Sequence, residues 1–447
     1  MNEDTNGPRR NPDDIHAIIS SLGYFTDGYN INVISAFTLL LEKFHFFLYT
    51  PLQIGLVSGS ALLGAGVSAI FFGKLADAVG RRWAYLSYLL IFVVAPIAAA
   101  LVQNLAALTV ARFCIGIAIG GDYSVAPVYS VEMLQEKRRA AGYGQIWAFW
   151  SLGSAAAIGG SFFLFVMLGP DSWRASFALA ALPATILLLL RMRMPESRMW
   201  ATRIVSTHAN TASKQLLHQE TRITPKRKIP RRYLPLMAVA LAQWTLLDIG
   251  SYGVGLYGPL IATGAGHAGL ASLWIVALFY FLAFMAMVMA SGLGDKIGRK
   301  NLQLLGFALL ALSLAIMASS YAFPISGRYL LGLVGLGMWY IVENMGPSVT
   351  TKYYSMELFP TRFRSTSMGY GTAITRFVSF LSAFEFPLIV AVYGISYFFA
   401  FLLAVMLSAA AFTHFFTPDT RGVSLEEMET MRYRKGELEK EDSSLER

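Results

Sequence analysis

Gly73-Lys74-Leu75-Ala76-Asp77-Ala78-Val79-Gly80-Arg81-Arg82 and Ser291-Gly292-Leu293-Gly294-Asp295-Lys296-Ile297-Gly298-Arg299-Lys300 are two versions of one segment. In each, an aspartate is followed three residues later by glycine and then by two basic residues, directly after a long apolar run. Further landmarks repeat in the same order. Arg112-Phe113-Cys114-Ile115-Gly116 is matched by Arg328-Tyr329-Leu330-Leu331-Gly332, and Pro195-Glu196-Ser197-Arg198 by Pro418-Asp419-Thr420-Arg421. Glu132 precedes Arg139 by seven positions, as Glu357 precedes Arg364. Matched signposts at a nearly constant offset mean a duplicated unit.

The content of that unit follows from composition. Of 447 residues, 55% are hydrophobic and 14% charged, against about 25% charged in soluble domains. The mean hydropathy is +0.52. About 20 apolar residues cross a bilayer as a helix, which allows roughly twelve crossings. These figures exclude a soluble enzyme, a disulfide scaffold and a disordered chain. The expected fold is an all-α membrane protein, twelve transmembrane helices in two pseudo-symmetric six-helix bundles. Spans are expected at 15–41, 52–72, 83–102, 106–131, 140–168 and 173–190, then at 233–261, 268–293, 302–320, 325–351, 365–392 and 395–416. The organisation expected is a leader over 1–14, bundles over 15–192 and 233–416, a basic loop over 193–232 and a charged tail over 417–447.

The net charge of +9 is gathered in short polar segments. The richest runs from Arg191 to Arg232. Such enrichment marks the cytoplasmic side and does not point to nucleic acid, so a multi-pass cell-membrane protein with both termini cytoplasmic is expected. The first apolar stretch carries Asp27 and has no credible cleavage site, so it reads as a span and not a removable signal. Cys114, the single cysteine, precludes an intramolecular disulfide or a multi-thiolate metal site. The six histidines are scattered, and there is neither a nucleophile elbow nor a glycine-rich phosphate loop. No enzyme activity, metal or cofactor is expected beyond protons as coupling ion.

The repeated loops suit a conformational latch. Asp77, Arg81, Arg82, Asp295, Arg299 and Lys300, with Glu132, Arg139, Glu357 and Arg364, can form ion pairs in one state and break them in another. Positive-inside charge at tight turns is the simpler alternative. Ionisable residues within apolar spans carry more information, because a charge at mid-bilayer costs about 2.5–3.5 kcal/mol even on lenient scales. The candidates are Asp27, Asp122, Asp248, Glu343, Arg376 and Glu385. Trp244, Asp248 and Tyr252 are spaced four apart and share one helical face.

The aspartate–glycine–basic loops, the Arg-x-x-x-Gly span starts and the duplicated layout resemble the major facilitator superfamily. That resemblance implies two bundles rocking about a central cavity. The local patterns are similar to its phosphate:proton symporters. They are Thr26-Asp27-Gly28-Tyr29 in span 1, Gly121-Asp122-Tyr123 in span 4 and Trp244-Asp248-Tyr252 in span 7. Asn344-Met345-Gly346-Pro347 and Glu357-Leu358-Phe359-Pro360-Thr361-Arg362 follow in spans 10 and 11. By resemblance, Asp27, Asp122 and Asp248 couple protons. Tyr123, Trp150, Trp244, Asp248, Tyr252, Asn344, Ser348 and Arg376 bind the substrate. The chain departs from the pattern where the family's second span 1 aspartate is Asn30, its second span 10 asparagine is Ser348 and its span 11 lysine falls at Arg376. A span 5 glutamine is replaced near Trp150.

The function expected is proton-coupled symport of a small anion, inorganic phosphate or a small organic carboxylate, by a monomer working through alternating access. Arg376 decides the sign of the substrate: if Asp248 or Glu385 neutralises it, a neutral sugar gains weight. The alternative is therefore a sugar or polyol carrier. Its support is a tail, Pro418-Asp419-Thr420-Arg421-Gly422, resembling that of sugar porters, and three tryptophans able to stack on sugar rings, Trp147, Trp150 and Trp244.

Overall fold

The computed structural model describes residues 12–79, 81–133, 139–192, 234–264, 269–290, 293–323, 327–357 and 361–417. Every regular element among them is helical. Spans 1 to 5 are the helices Pro12–Phe44, Pro51–Val79, Arg81–Leu101, Leu105–Met133 and Arg139–Leu168. Span 6 is Ser172–Leu179 continued by Ala181–Met192. In the second half, span 7 is Leu234–Gly255 with Gly258–Gly264, span 8 is Ala271–Ala290 and span 9 is Arg299–Ala322. Span 10 is Arg328–Met345 with Pro347–Glu357, span 11 is Thr361–Tyr393 and span 12 is Ile395–Phe416.

Eight segments among the described residues are long and apolar enough to cross a membrane, and the one over 146–192 holds both span 5 and span 6. Spans 1, 7 and 10 fall outside that set. Span 1 carries Asp27, Asn30 and Asn32, and spans 7 and 10 are interrupted. The sequence reading had expected both as unbroken helices. Span 10 breaks where Pro347 has no N–H to give and its ring fills the space beside Gly306, 2.3 Å from where a Cβ there would stand.

The packing repeats as the sequence does. Span 1 packs on 5, 2 on 4, and 3 on 4 and 6; span 7 packs on 11, 8 on 10, and 9 on 10 and 12. Small residues allow the close approaches, as in other membrane bundles. A Cβ on Gly28 would lie 2.0 Å from the Trp150 carbonyl oxygen, and one on Gly153 2.0 Å from that of Phe25. Spans 1 and 5 therefore touch backbone to backbone. Arg112, fully buried, holds span 4 to spans 1 and 2 by donating to the carbonyls of Asn30 (2.8 Å), Ile31 (3.4 Å), Val57 (3.3 Å) and Ser58 (3.4 Å).

The two halves meet along spans 2 and 11 and along spans 5 and 8. Towards the turns after spans 1, 5, 7 and 11 this seam is filled. Gly55 packs on the Phe384 backbone and Gly59 on the Phe380 ring, while Phe162 and Phe163 lie against Trp274 with ring centroids 6.2 and 5.4 Å away. Tyr280 of span 8 donates to Asn32 of span 1 at 2.9 Å. Around the outside, large apolar side chains such as Val110, Val166, Leu282 and Val392 are exposed, the surface expected of helices facing lipid.

Candidate functional site

Two buried polar clusters face each other across the seam. In the first half, Asp122 of span 4 and Arg191 at the end of span 6 pair at 3.0 Å, with 1% and 4% of their side chains accessible. Tyr88 donates to the same carboxylate oxygen at 2.7 Å, and Arg191 donates to the Tyr88 hydroxyl, also at 2.7 Å. The guanidinium lies 4.0 Å from the Tyr85 ring centroid. Gly23 of span 1 leaves room for this pair: a Cβ there would stand 3.0 Å from Arg191 and 3.2 Å from Asp122. Arg191 therefore belongs to the bundle interior, although the sequence reading counted it in the basic cytoplasmic stretch. A charge adjoining a basic loop reads as topology until a buried partner is seen.

Asp27 is fully buried. Its carboxyl lies within electrostatic reach of Asp122, Arg191 and Arg376. Neither of its oxygens has a hydrogen-bond partner among the described residues. An ionised carboxylate in that position would be desolvated without a hydrogen bond to offset the cost.

In the second half, Arg376 of span 11 pairs with Asp248 of span 7 at 3.0 Å and donates to the Tyr252 hydroxyl. Ser379 donates to Asp248 at 3.3 Å. The four-residue steps of span 7 do put Trp244, Asp248 and Tyr252 on one buried face. Arg376 also reaches across the seam, 5.1 Å from the Tyr123 ring centroid. Of the two neutralising partners considered for Arg376, the structure selects Asp248. Glu385 is exposed and takes no part.

The seam is bridged again one turn away. Ser151 donates to Asn344 at 3.0 Å, and Trp147 donates to Ser348 at 3.4 Å. Tyr24, Tyr123 and Trp147 form an aromatic wall, with centroid separations of 4.5 Å from Tyr24 to Trp147 and 5.9 Å from Tyr123 to Trp147. Trp150 lies edge-on to Tyr280. Glu343 is within electrostatic reach of Asp248 and Lys352.

Several donors gathered here make no hydrogen bond of normal geometry. The Tyr123 hydroxyl, Trp150 Nε1, Trp244 Nε1 and Arg376 Nε are all buried without a hydrogen-bond partner among the described residues. Such orphans cost about 1–3 kcal/mol each, so each calls for a partner, which a bound water, ion or ligand can supply.

Lys352, 5% exposed, is a residue that sequence reading missed. Its ammonium donates to Ser348 at 3.0 Å and lies 4.0 Å from the Trp147 ring centroid. The expected span 10 ended one residue short of it. The signal was there, because Asn344, Ser348 and Lys352 follow at four-residue steps. Among the expected latch residues, Arg82 is exposed and donates to the Met192 carbonyl at 2.9 Å, and Arg299 and Lys300 are half-buried. The side chains of Asp77, Arg81, Glu132, Arg139, Asp295, Glu357 and Arg364 lie outside the described residues. No group of three or more metal-ligating side chains occurs among those described.

The chain is similar in sequence to known carriers. It is 28% identical to the putative metabolite transport protein YaaU of Escherichia coli, over 96% of this chain and 98% of that one. It is equally 28% identical to the probable inorganic phosphate transporter 1-6 of Arabidopsis thaliana, over 92% of each. Its fold matches the proton:xylose symporter XylE with a TM-score of 0.74 at 18% identity, covering 94% of this chain and 98% of that one. The inward-open form of XylE from E. coli matches at 0.75, over 93% and 98%. The family model for sugar (and other) transporters matches residues 16–431. This chain is a multi-pass membrane transporter with the major facilitator superfamily fold and belongs to the sugar (and other) transporter family.

Proposed function

We propose that this carrier is a proton-coupled symporter of a small anion, inorganic phosphate or a small organic carboxylate, across the cell membrane. The observation that carries the reading is the convergence of buried donors from both halves that make no hydrogen bond of normal geometry among the described residues: Tyr123 and Trp150 from one, Trp244 and Arg376 from the other. An acceptor-rich ligand would satisfy donors of both bundles at once, and so would stabilise the closed form in which they meet. With Asn344 and Ser348, these residues make up the proposed substrate site, and Asp248 holds Arg376 in register.

Coupling follows from Asp27. Moving an anion into a negative-inside cell is opposed by about 2.3 kcal/mol per charge per 100 mV, and a proton travelling with it cancels the charge. Asp27 has no counter-ion within bonding distance among the described residues, so a proton on it removes the cost of burying its charge as the cavity closes. Asp122 is held by Arg191 inside the first bundle in this state, and it takes part in coupling through its nearness to Asp27. We assign no cofactor, a monomeric working unit and both termini to the cytoplasmic side. The Asp77 and Asp295 loops are the latch of the state change.

Neutralisation of Arg376 by Asp248 favours a second reading, a sugar or polyol symporter. XylE, a proton:xylose symporter, shares the fold. Uptake into proteoliposomes under an imposed proton gradient separates the two, with phosphate, small carboxylates and hexoses compared. The anion reading expects saturable, gradient-driven anion uptake. Asp27→Asn should abolish accumulation but retain counterflow exchange. Saturable hexose uptake that no anion competes with would replace it.

A further inference from the structure

We infer that Lys352, and not Arg376, is the residue that takes the substrate's negative group, and that the substrate is an organic carboxylate whose apolar body lies on the Tyr24–Tyr123–Trp147 wall. This deepens the anion reading and rests on it. An ammonium has three N–H donors and no acceptor. Lys352 directs one at Ser348 and one at the Trp147 ring face. It makes no ion pair among the described residues, although Asp248, Glu343 and Arg376 all act on its charge. The fork of Arg376, by contrast, is already engaged by Asp248 and Tyr252. Of Arg376 and Lys352, Lys352 is the one with no ion pair among the described residues.

Its surroundings select among anions. Aromatic faces carry negative charge density, so they attract the ammonium and repel the oxygens of an anion. Phosphate has oxygens on all sides and would have to set some of them against that wall. A carboxylate presents both oxygens to one end and its carbon skeleton to the other. The neighbouring helix start offers no cradle of backbone donors either. Pro347 has no N–H, and those of Val349 and Thr350 are spent on the Gly346 carbonyl at 3.1 and 2.9 Å. Because Lys352 belongs to span 10 and Trp147 to span 5, a ligand that touches both also ties the two halves together.

The test is ligand binding to the purified full-length protein, followed by thermal shift and by tryptophan quenching, with benzoate, acetate, inorganic phosphate and D-xylose. Benzoate should bind at least about tenfold more tightly than acetate, the discrimination an apolar contact supplies, and more tightly than phosphate. Lys352→Gln should weaken benzoate at least about tenfold, as loss of a buried charged partner does. Lys352→Arg, which keeps the charge, should restore most of that loss. Phosphate bound as tightly as benzoate, or benzoate binding untouched by Lys352→Gln, overturns the inference while leaving the anion reading standing. D-xylose binding without any anion binding overturns both. Should Lys352→Gln fail to fold, the benzoate-to-phosphate ranking of the unmodified protein decides alone.

Discussion

Replacing Arg191 with methionine puts the interior of the first bundle to a quantitative test. The guanidinium it removes is bonded to Asp122 at 3.0 Å and to Tyr88 at 2.7 Å, in a site with 4% and 1% accessibility for the two charged partners. Breaking one side of a buried pair costs about 3–5 kcal/mol, because the remaining charge is left desolvated. At roughly 2–4 °C per kcal/mol for units of this size, the melting temperature should fall by about 6–20 °C. The chain supplies its own probe: Cys114 is the only cysteine and is half-buried, so its modification by a thiol-reactive dye on heating reports unfolding. The double variant Asp122→Asn with Arg191→Met removes both charges and should recover most of the loss, giving a coupling of several kcal/mol in the mutant cycle. A solvated surface pair would give about 0–1 kcal/mol. A cycle in that range, with Arg191→Met melting like the unmodified protein, would refute the buried pair and return Arg191 to a topology signal.

Closure of the seam is open to a steric test at Gly55, where a Cβ would stand 2.4 Å from the Phe384 carbonyl oxygen. Gly55→Leu should disfavour the closed form by about 1–3 kcal/mol, a shift of about 5- to 150-fold in population. An Asn32→Cys reporter in a Cys114→Ala background should then react correspondingly faster with an impermeant thiol reagent, and an unchanged rate would count against the closure. Arg112→Lys keeps the charge but cannot reach four carbonyls in two spans, so it should destabilise by roughly 1.5–3 kcal/mol. Thermal unfolding equal to that of the unmodified protein would mean those contacts contribute nothing.

The sequence by itself determined the class, the span count and the duplication. Apolar length, charge placement and the two aspartate–glycine–basic loops are local properties, and the membrane forces a local answer by requiring each crossing to satisfy its own backbone. It also named the Trp244–Asp248–Tyr252 face correctly, since helical periodicity alone fixes which side chains share a side. What it could not determine was partnership. That Arg376 answers to Asp248 and not Glu385, that Arg191 turns inward to Asp122, and that Arg112 grips four carbonyls depend on residues tens to more than a hundred positions apart. Lys352 was hidden for a related reason. A lysine after the end of an apolar run reads as a solvent-facing charge, and only the packing of its face against Trp147 of another span shows that it lies in the seam. Periodicity says which face a side chain is on, and tertiary packing says what that face meets.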